Sequence, residues 1–214
     1  MIRGRLQSRR KEHDTERLAD SDELLMRKVA KGDLAAFRLL MERWEGAAKR
    51  YAYRVFGDYH AAEDAAQETF VRLYRSSGRY EPTAKFGTYF YTVLGNLCRD
   101  RIRASKRRAG HGEVIEDVFV LDESAEAAPG LSPEPRAESE EERTLVREAV
   151  AELPEKLREA LSLREFEGLS YHEIADVMGA NLGEVKTWIH RGRKRLANRL
   201  RRLATPEERR EQGL

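Results

Sequence analysis

The sequence predicts an all-α protein: two small helical domains joined by a flexible acidic linker. Three observations carry this. Apolar residues recur at i, i+3, i+4, i+7 spacing in both halves of the chain. No segment alternates apolar and polar residues with the period of a strand. Between the halves, residues 109–138 combine acids and prolines with no sustained apolar stripe, and such a segment cannot bury enough surface to fold alone. The expected organisation is a basic tail over 1–20, a helical domain over 21–108, the linker over 109–138, a second helical domain over 139–204 and a tail over 205–214.

The N-terminal tail carries Arg3, Arg5, Arg9, Arg10 and Lys11 without an apolar h-region, so it does not read as a secretory signal. It suits either contact with nucleic acid or plain disorder. From Asp33 a long amphipathic pattern runs through Phe37, Leu40, Met41, Trp44, Ala48, Tyr51 and Val55, and Gly57 closes it. The next helix carries Ala62, Ala66, Phe70 and Leu73 on its apolar side and Asp64, Gln67 and Glu68 together on the other. A loop with Ser77, Gly78 and Pro82 follows. Phe86, Phe90, Val93 and Leu97 then mark a last helix that runs into a basic segment.

That last helix presents Tyr89, Thr92, Asn96, Arg99, Asp100 and Arg103 at i+3, i+4 steps, with Tyr80 and Tyr91 nearby in sequence. Aromatics beside guanidinium groups suit single-stranded nucleic acid, because unpaired bases stack on rings while cations track phosphates. An amide such as Asn96 can read the edge of a base taken out of the stack. Phe86 and Phe90 read as core. Tyr80 and Tyr89 fit core or surface equally well. Cys98 is the only cysteine, which rules out an internal disulfide and fits a small packing residue in a reducing cytoplasm.

The net charge of +2 hides a polarised chain. Arg99, Arg101, Arg103, Lys106, Arg107 and Arg108 face Asp100 alone. The linker then reverses sign, with Glu113, Glu116, Asp117, Asp122, Glu123, Glu126, Glu134 and Glu138 against Arg136 alone.

The second domain contains LSYHEIADVMG at 169–179. Ser170 and Glu173 form a capping-box pattern, Ile174, Ala175 and Met178 an apolar stripe, and Gly179 a stop. After a break at Ala180 and Asn181, a second helix places Val185, Ile189, Leu196, Leu200 and Leu203 on one face. Two short helices around a glycine turn form a helix-turn-helix, whose second helix enters the DNA major groove. That helix carries Lys186, Arg191, Arg193, Lys194, Arg195, Arg199, Arg201 and Arg202. A charge run on a helix is ordinarily a solvated face. Here its sign is uniform and it sits on the recognition helix, so a polyanion is the expected partner.

Enzyme chemistry is not expected: no nucleophile–base set, paired carboxylates or glycine-rich phosphate loop stands out. A zinc motif at His172 would need a second histidine at i+4, where Asp176 stands. No apolar run is long enough to span a bilayer.

Several segments together resemble the bacterial RNA polymerase sigma factors of the extracytoplasmic-function group, the type with regions 2 and 4 only. AEDAAQETF at 62–70 resembles region 2.2, and KFGTYFYTVLGNLCRDRIR at 85–103 resembles regions 2.3 and 2.4. Residues 153–179 resemble region 4.1 and the start of 4.2, and EVKTWIHRGRKRL at 184–196 resembles the −35 recognition helix. The resemblance implies a cytoplasmic factor without cofactor or catalytic group that binds core RNA polymerase and directs promoter recognition and melting. Its implied partners are the polymerase β′ coiled coil and β flap, duplex and single-stranded promoter DNA, and an anti-sigma factor. It implies core binding by Asp64, Gln67 and Glu68; −10 contacts by Tyr80, Tyr89, Asn96, Arg99 and Arg103; and −35 contacts by Lys186, Thr187, His190, Arg191 and Lys194. Tyr89, Thr92, Trp188 and Gly192 depart from the residues usual in the family, which bears on promoter sequence. The alternative is a regulator that joins the same helix-turn-helix to a helical partner-binding domain.

Overall fold

The computed structural model describes residues 21–108 and 140–203, so the expectations for both tails and the acidic linker lie outside the described residues. Eight α-helices and one 3₁₀ turn make up the described chain, and no strand occurs among these residues.

The first domain holds α1 (Asp22–Ala30), α2 (Leu34–Phe56), α3 (Tyr59–Ser76), a 3₁₀ turn (Ser77–Arg79) and α4 (Phe86–Arg108). Local chemistry sets the helix ends. The Asp33 carboxylate accepts from the Ala35 and Ala36 amides at the start of α2, and Asp58 accepts from Ala61 at the start of α3. Gly57 ends α2 at φ 69°, a left-handed conformation that a side chain would strain. The expected apolar stripes become the core: Leu40, Ala48, Tyr51 and Val55 of α2 meet Ala62, Ala66, Phe70 and Leu73 of α3 and Phe86, Phe90 and Leu97 of α4. Phe37, Met41, Trp44 and Val93 are only partly buried at its margin. Trp44 anchors the aromatic part, with ring centroids 4.7 Å from Phe90 and 5.3 Å from Phe86. Cys98 is buried, which pushes its thiol up to about 12 and suits a packing role.

The second domain holds α5 (Glu140–Ala151), α6 (Glu155–Glu165), α7 (Tyr171–Met178) and α8 (Leu182–Leu203). α7 is only two turns long and depends on its caps. The Ser170 hydroxyl accepts from the Glu173 amide, the Glu173 carboxylate accepts from the Ser170 amide, and Gly179 closes the helix at φ 62°. Asn181 and Glu184 repeat the reciprocal arrangement at the start of α8, both bonds 2.9 Å. Ile174 and Val177 of α7 pack with Val185, Ile189 and Leu196 of α8.

The two domains are not held apart. α7 lies along α4, α2 touches α5 and α6, and the buried residues of both domains form one continuous cluster. Ion pairs join the domains at the rim, Lys85 to Glu173 at 3.1 Å and Lys106 to Glu155 at 2.8 Å.

Two outcomes follow for the cap of α7. Ser170→Ala should cost about 1 kcal/mol of stability in urea denaturation. Hydrogen bonds from Ser170, aided by Lys85, hold the Glu173 carboxyl down at about 2. A depressed folded value gives stabilisation that is complete above the ordinary carboxylate range and fades as pH falls toward that value. The stability gap between wild type and Glu173→Gln should therefore be widest near neutrality and narrow on acidification. A gap independent of pH would show that the carboxylate charge contributes nothing there.

Candidate nucleic-acid interface

α8 is amphipathic, and its two sides separate cleanly. Val185, Trp188, Ile189, Gly192 and Leu196 face inward. Lys186, Thr187, His190, Arg191 and Lys194 cluster on the opposite side, with Lys186 and Lys194 exposed and the other three half-buried. The Thr187 hydroxyl donates to the Gly183 carbonyl at 2.9 Å, so its methyl and hydroxyl are held at the helix surface. This face carries Lys186, Arg191 and Lys194, and an α-helix is of a size that the major groove admits.

Two expectations about α8 need correction. Trp188 and Gly192 bear on packing, not on base contacts. Trp188 is 4% exposed, with the Lys156 ammonium 5.2 Å above its ring. Gly192 is buried against α6, and a Cβ there would stand 3.4 Å from the Leu157 carbonyl oxygen and 3.6 Å from Leu161 Cβ, ordinary van der Waals contact. Nor is the cationic run uniform in purpose. Arg193 turns back to Glu165, its guanidinium donating at 2.5 and 2.8 Å, and Arg199 pairs with Glu152 at 2.7 Å. Those two arginines brace the helix against α6 and the end of α5.

On α4 the expected stripe assembles with Tyr80 beside it. The Tyr80 and Tyr89 rings lie 4.9 Å apart, and the Tyr89 hydroxyl shares a 2.7 Å hydrogen bond with Ser76 Oγ. Both residues are half-buried, each packed against Phe86, and the Tyr80 hydroxyl is buried without a hydrogen-bond partner. Asn96 and Arg103 are exposed, with Arg103 3.6 Å from Asp100. Tyr91 does not join the stripe: it is 3% exposed and hydrogen-bonds Glu167. Burial and that carboxylate push its hydroxyl well above the usual tyrosine value.

Arg99 is on the stripe but engaged. It donates to Asn96 Oδ1 at 2.6 Å, to the Val177 carbonyl of α7 at 3.0 Å and to Glu159 of α6. Glu159 is 5% exposed, and it also accepts from the Tyr51 hydroxyl at 2.9 Å. Burial pushes the Glu159 carboxyl upward, while Arg99 and Tyr51 pull it back.

The third surface lies on α3. Asp64 and Gln67 are exposed, and Glu68 is held by Arg72 at 2.6 Å and Arg101 at 2.8 Å. Hydrogen bonds from Arg101 and Arg72 keep the Glu68 carboxyl below its ordinary value. Val71, 45% exposed, extends the same face one turn further, an apolar member that polarity alone did not single out. Among the described residues no cluster of histidine, cysteine or carboxylate could hold a metal ion.

The comparisons with known proteins agree across most of the chain. The family described as sigma-70 region 2 matches residues 40–108, and sigma-70 region 4 matches 143–196. The RNA polymerase sigma-H factor of Pseudomonas aeruginosa is 34% identical over 185 residues, covering 86% of this chain and 96% of that protein. The ECF RNA polymerase sigma factor SigW of Bacillus subtilis is 34% identical over 181 residues, covering 83% of this chain and 96% of that protein. Among solved structures, the sigma factor RpoE in complex with the anti-sigma factor NepR from Bartonella quintana matches with a TM-score of 0.61 at 21% identity. It covers 77% of this chain and 96% of that one, a likeness of fold. CnrH in complex with the cytosolic domain of CnrY matches at 0.59 and 25% identity, covering 85% of this chain and 97% of that one.

The sorting of cations on α8 is directly measurable by duplex gel shift at several salt concentrations. Lys186→Ala and Lys194→Ala should each flatten the salt dependence of binding by roughly one unit of slope. Arg193→Ala should leave the slope unchanged and lower the melting temperature instead, because its partner is Glu165. An equal loss of slope for all three would put Arg193 on the phosphate backbone.

Proposed function

The chain belongs to the extracytoplasmic-function sigma factors, and we propose that it divides transcription initiation among the three surfaces just described. Sigma factors are transcription-initiation factors, not enzymes, and polymerase carries out the chemistry. What supports the division is the presence of two surfaces of different character on one chain: a cationic helix face on α8, and rings beside an amide and guanidinium groups on α4.

In this reading residues 21–108 act as region 2 and 139–204 as region 4. Lys186, Thr187, His190, Arg191 and Lys194 enter the major groove of the −35 element, where phosphate contacts position the helix and base-edge contacts specify the site. Tyr80 and Tyr89 meet unpaired −10 bases with the part of each ring left uncovered, Asn96 hydrogen-bonds a base edge, and Arg99 and Arg103 follow the strand's phosphates. Such a site binds the separated strand better than the duplex. Melting is therefore favoured by the difference between the two affinities. Asp64, Gln67 and Glu68, with the apolar Val71 beside them, dock on the β′ coiled coil of core polymerase, and region 4 reaches the β flap. Joining the two DNA readers in one chain raises the effective concentration of the second once the first has bound. An anti-sigma factor as regulator, and residence in the cytoplasm, complete the proposal. No described helix is long and apolar enough to cross a membrane.

The alternative, a helix-turn-helix regulator with an unrelated partner domain, has no use for the α4 stripe. Run-off transcription with core polymerase tests the main reading: product should appear from a cognate promoter only when this chain is added.

Two substitutions separate the surfaces. Asn96→Ala should leave duplex −35 binding intact and reduce permanganate reactivity of the −10 region, because it acts only on the open strand. Asp64→Lys with Gln67→Ala should weaken a core-binding titration with helical circular dichroism unchanged. If Asn96→Ala weakens duplex binding and melting equally, the two readers are not separate.

A further inference from the structure

The start of α4 is capped from another helix. The opening turn of a helix leaves its first amides without an internal partner. Here the Phe86 amide donates to the Glu23 carboxylate of α1 at 2.7 Å, across 63 residues of sequence. That bond is the main cause that holds the Glu23 carboxyl below its ordinary value. The neighbouring acid fastens α1 to α2: Asp22 accepts from Arg43 Nη1 at 2.7 Å and from the Trp44 indole at 2.9 Å. Both acids stand in the first turn of α1, where the helix dipole favours negative charge. Leu25, Met26 and Val29 bury the helix behind them. α1 is thus anchored on its own account, and Glu23 extends that anchorage to α4.

Glu23 also lies beside the tyrosine pair. Tyr80 follows the 3₁₀ turn, against which α1 packs. Burial, and after it the Glu23 charge, pushes the Tyr80 hydroxyl up. Because that hydroxyl has no hydrogen-bond partner, packing alone places the ring. Its neighbours are Tyr89 and Phe86, with centroids at 4.9 and 6.3 Å, and both belong to the first turn of α4. Residues 81–85, between Tyr80 and α4, are exposed throughout and give the ring no core to rest on. The bond from Glu23 to the Phe86 amide therefore fixes the turn against which both tyrosines lean. Asp22 supports the same turn at one remove. A Cβ at Gly87 would stand 3.1 Å from Trp44 Cη2, so the indole that Asp22 holds lies close against the α4 backbone.

We propose that Glu23 is a positioning residue for −10 capture: from α1 it sets the first turn of α4, so that Tyr80 and Tyr89 stand where unpaired bases stack. The proposal rests on the assignment of the two rings to the −10 strand made above. Glu23 itself touches no base. It acts by preorganisation, because rings that are already in place need not be ordered when the strand arrives, and more of the stacking energy then appears as affinity. A hydrogen bond to a carboxylate suits this task, being stronger than one to a neutral acceptor and directional where apolar contact is not. Glutamine at this position keeps an oxygen that can accept from the Phe86 amide, whereas alanine keeps none.

The test uses the full chain bound to core polymerase and a fluorescent single-stranded oligonucleotide with the −10 sequence of a promoter that the chain directs in run-off transcription. Glu23→Ala should weaken oligonucleotide binding roughly tenfold, as loss of one charge-assisted hydrogen bond would. Glu23→Gln should recover most of that loss. Glu23→Asp keeps the charge but falls one methylene short of Phe86, so it should also lose affinity, and it carries the same comparison if Glu23→Ala disturbs the fold. Core binding, duplex −35 binding and helical circular dichroism should match wild type. In a chain that already carries Tyr80→Ala and Tyr89→Ala, the Glu23 substitutions should have no further effect, because the rings through which Glu23 acts are gone. A merely structural role would lower affinity by the same factor in both backgrounds. Affinity unchanged in Glu23→Ala and Glu23→Asp, a loss that Glu23→Gln does not recover, or an equal loss without the rings would each overturn the positioning role and leave the −10 reading standing. If removing the two rings leaves oligonucleotide binding intact, the −10 assignment of the tyrosines falls, and the role of Glu23 with it.

Discussion

A carboxylate taken out of water must be met by cations and hydroxyls, and that requirement governs how the two halves of this chain sit together. Glu159, 5% exposed, is answered by Tyr51 and Arg99, and Glu167 by Arg54 and Tyr91. Apolar surfaces alone tolerate sliding, since burial is non-directional. Hydrogen bonds to these two carboxylates do not tolerate it, because a small displacement would leave a buried charge without partners. The continuous apolar cluster supplies cohesion between the domains, and the carboxylates supply the registration.

The fold was largely legible in the sequence because helical periodicity and capping are local. Asp33 and Gly57 bracket α2, and Ser170, Glu173 and Gly179 bracket α7, as their side chains require. The second reciprocal cap, Asn181 with Glu184, follows the same rule but lay unread in what looked like a plain break. The candidate faces were legible as stripes: residues at i+3, i+4 spacing share a side of a helix whatever the tertiary context. Three properties were not. Spacing does not say whether a tyrosine on a stripe is open or covered, as the half-buried Tyr80–Tyr89 pair and the core residue Tyr91 illustrate. It does not say that Trp188 and Gly192 turn toward α6. And it does not say that the two domains pack, because that contact depends on residues far apart in the chain, such as Tyr51 and Glu159.

Counting cations was the least reliable guide to the nucleic-acid surface. Of the arginines on α8, Arg193 and Arg199 are held by Glu165 and Glu152, acids from other helices. On α4, Arg101 reaches back to Glu68 and Arg99 to Glu159, while Arg103 remains exposed. Arginine suits these bracing positions because its planar, permanently charged fork bonds a carboxylate from two nitrogens. The same chemistry makes it a phosphate ligand. A basic run in sequence therefore mixes structural and functional cations, and only the position of the acids in space sorts them.

α4 shows how tightly those demands can be superposed. One side of it buries Phe86, Phe90, Leu94 and Leu97 in the first domain. Another carries Tyr89, Asn96 and Arg103 toward solvent. Between them, Gly95 and Arg99 take the second domain's carboxylate. Helix propensity alone would place alanine at Gly95, and electrostatics alone would leave Arg99 in water. Neither residue is explained by the helix it belongs to. Both are explained by an anion on α6 that needs a notch and a cation.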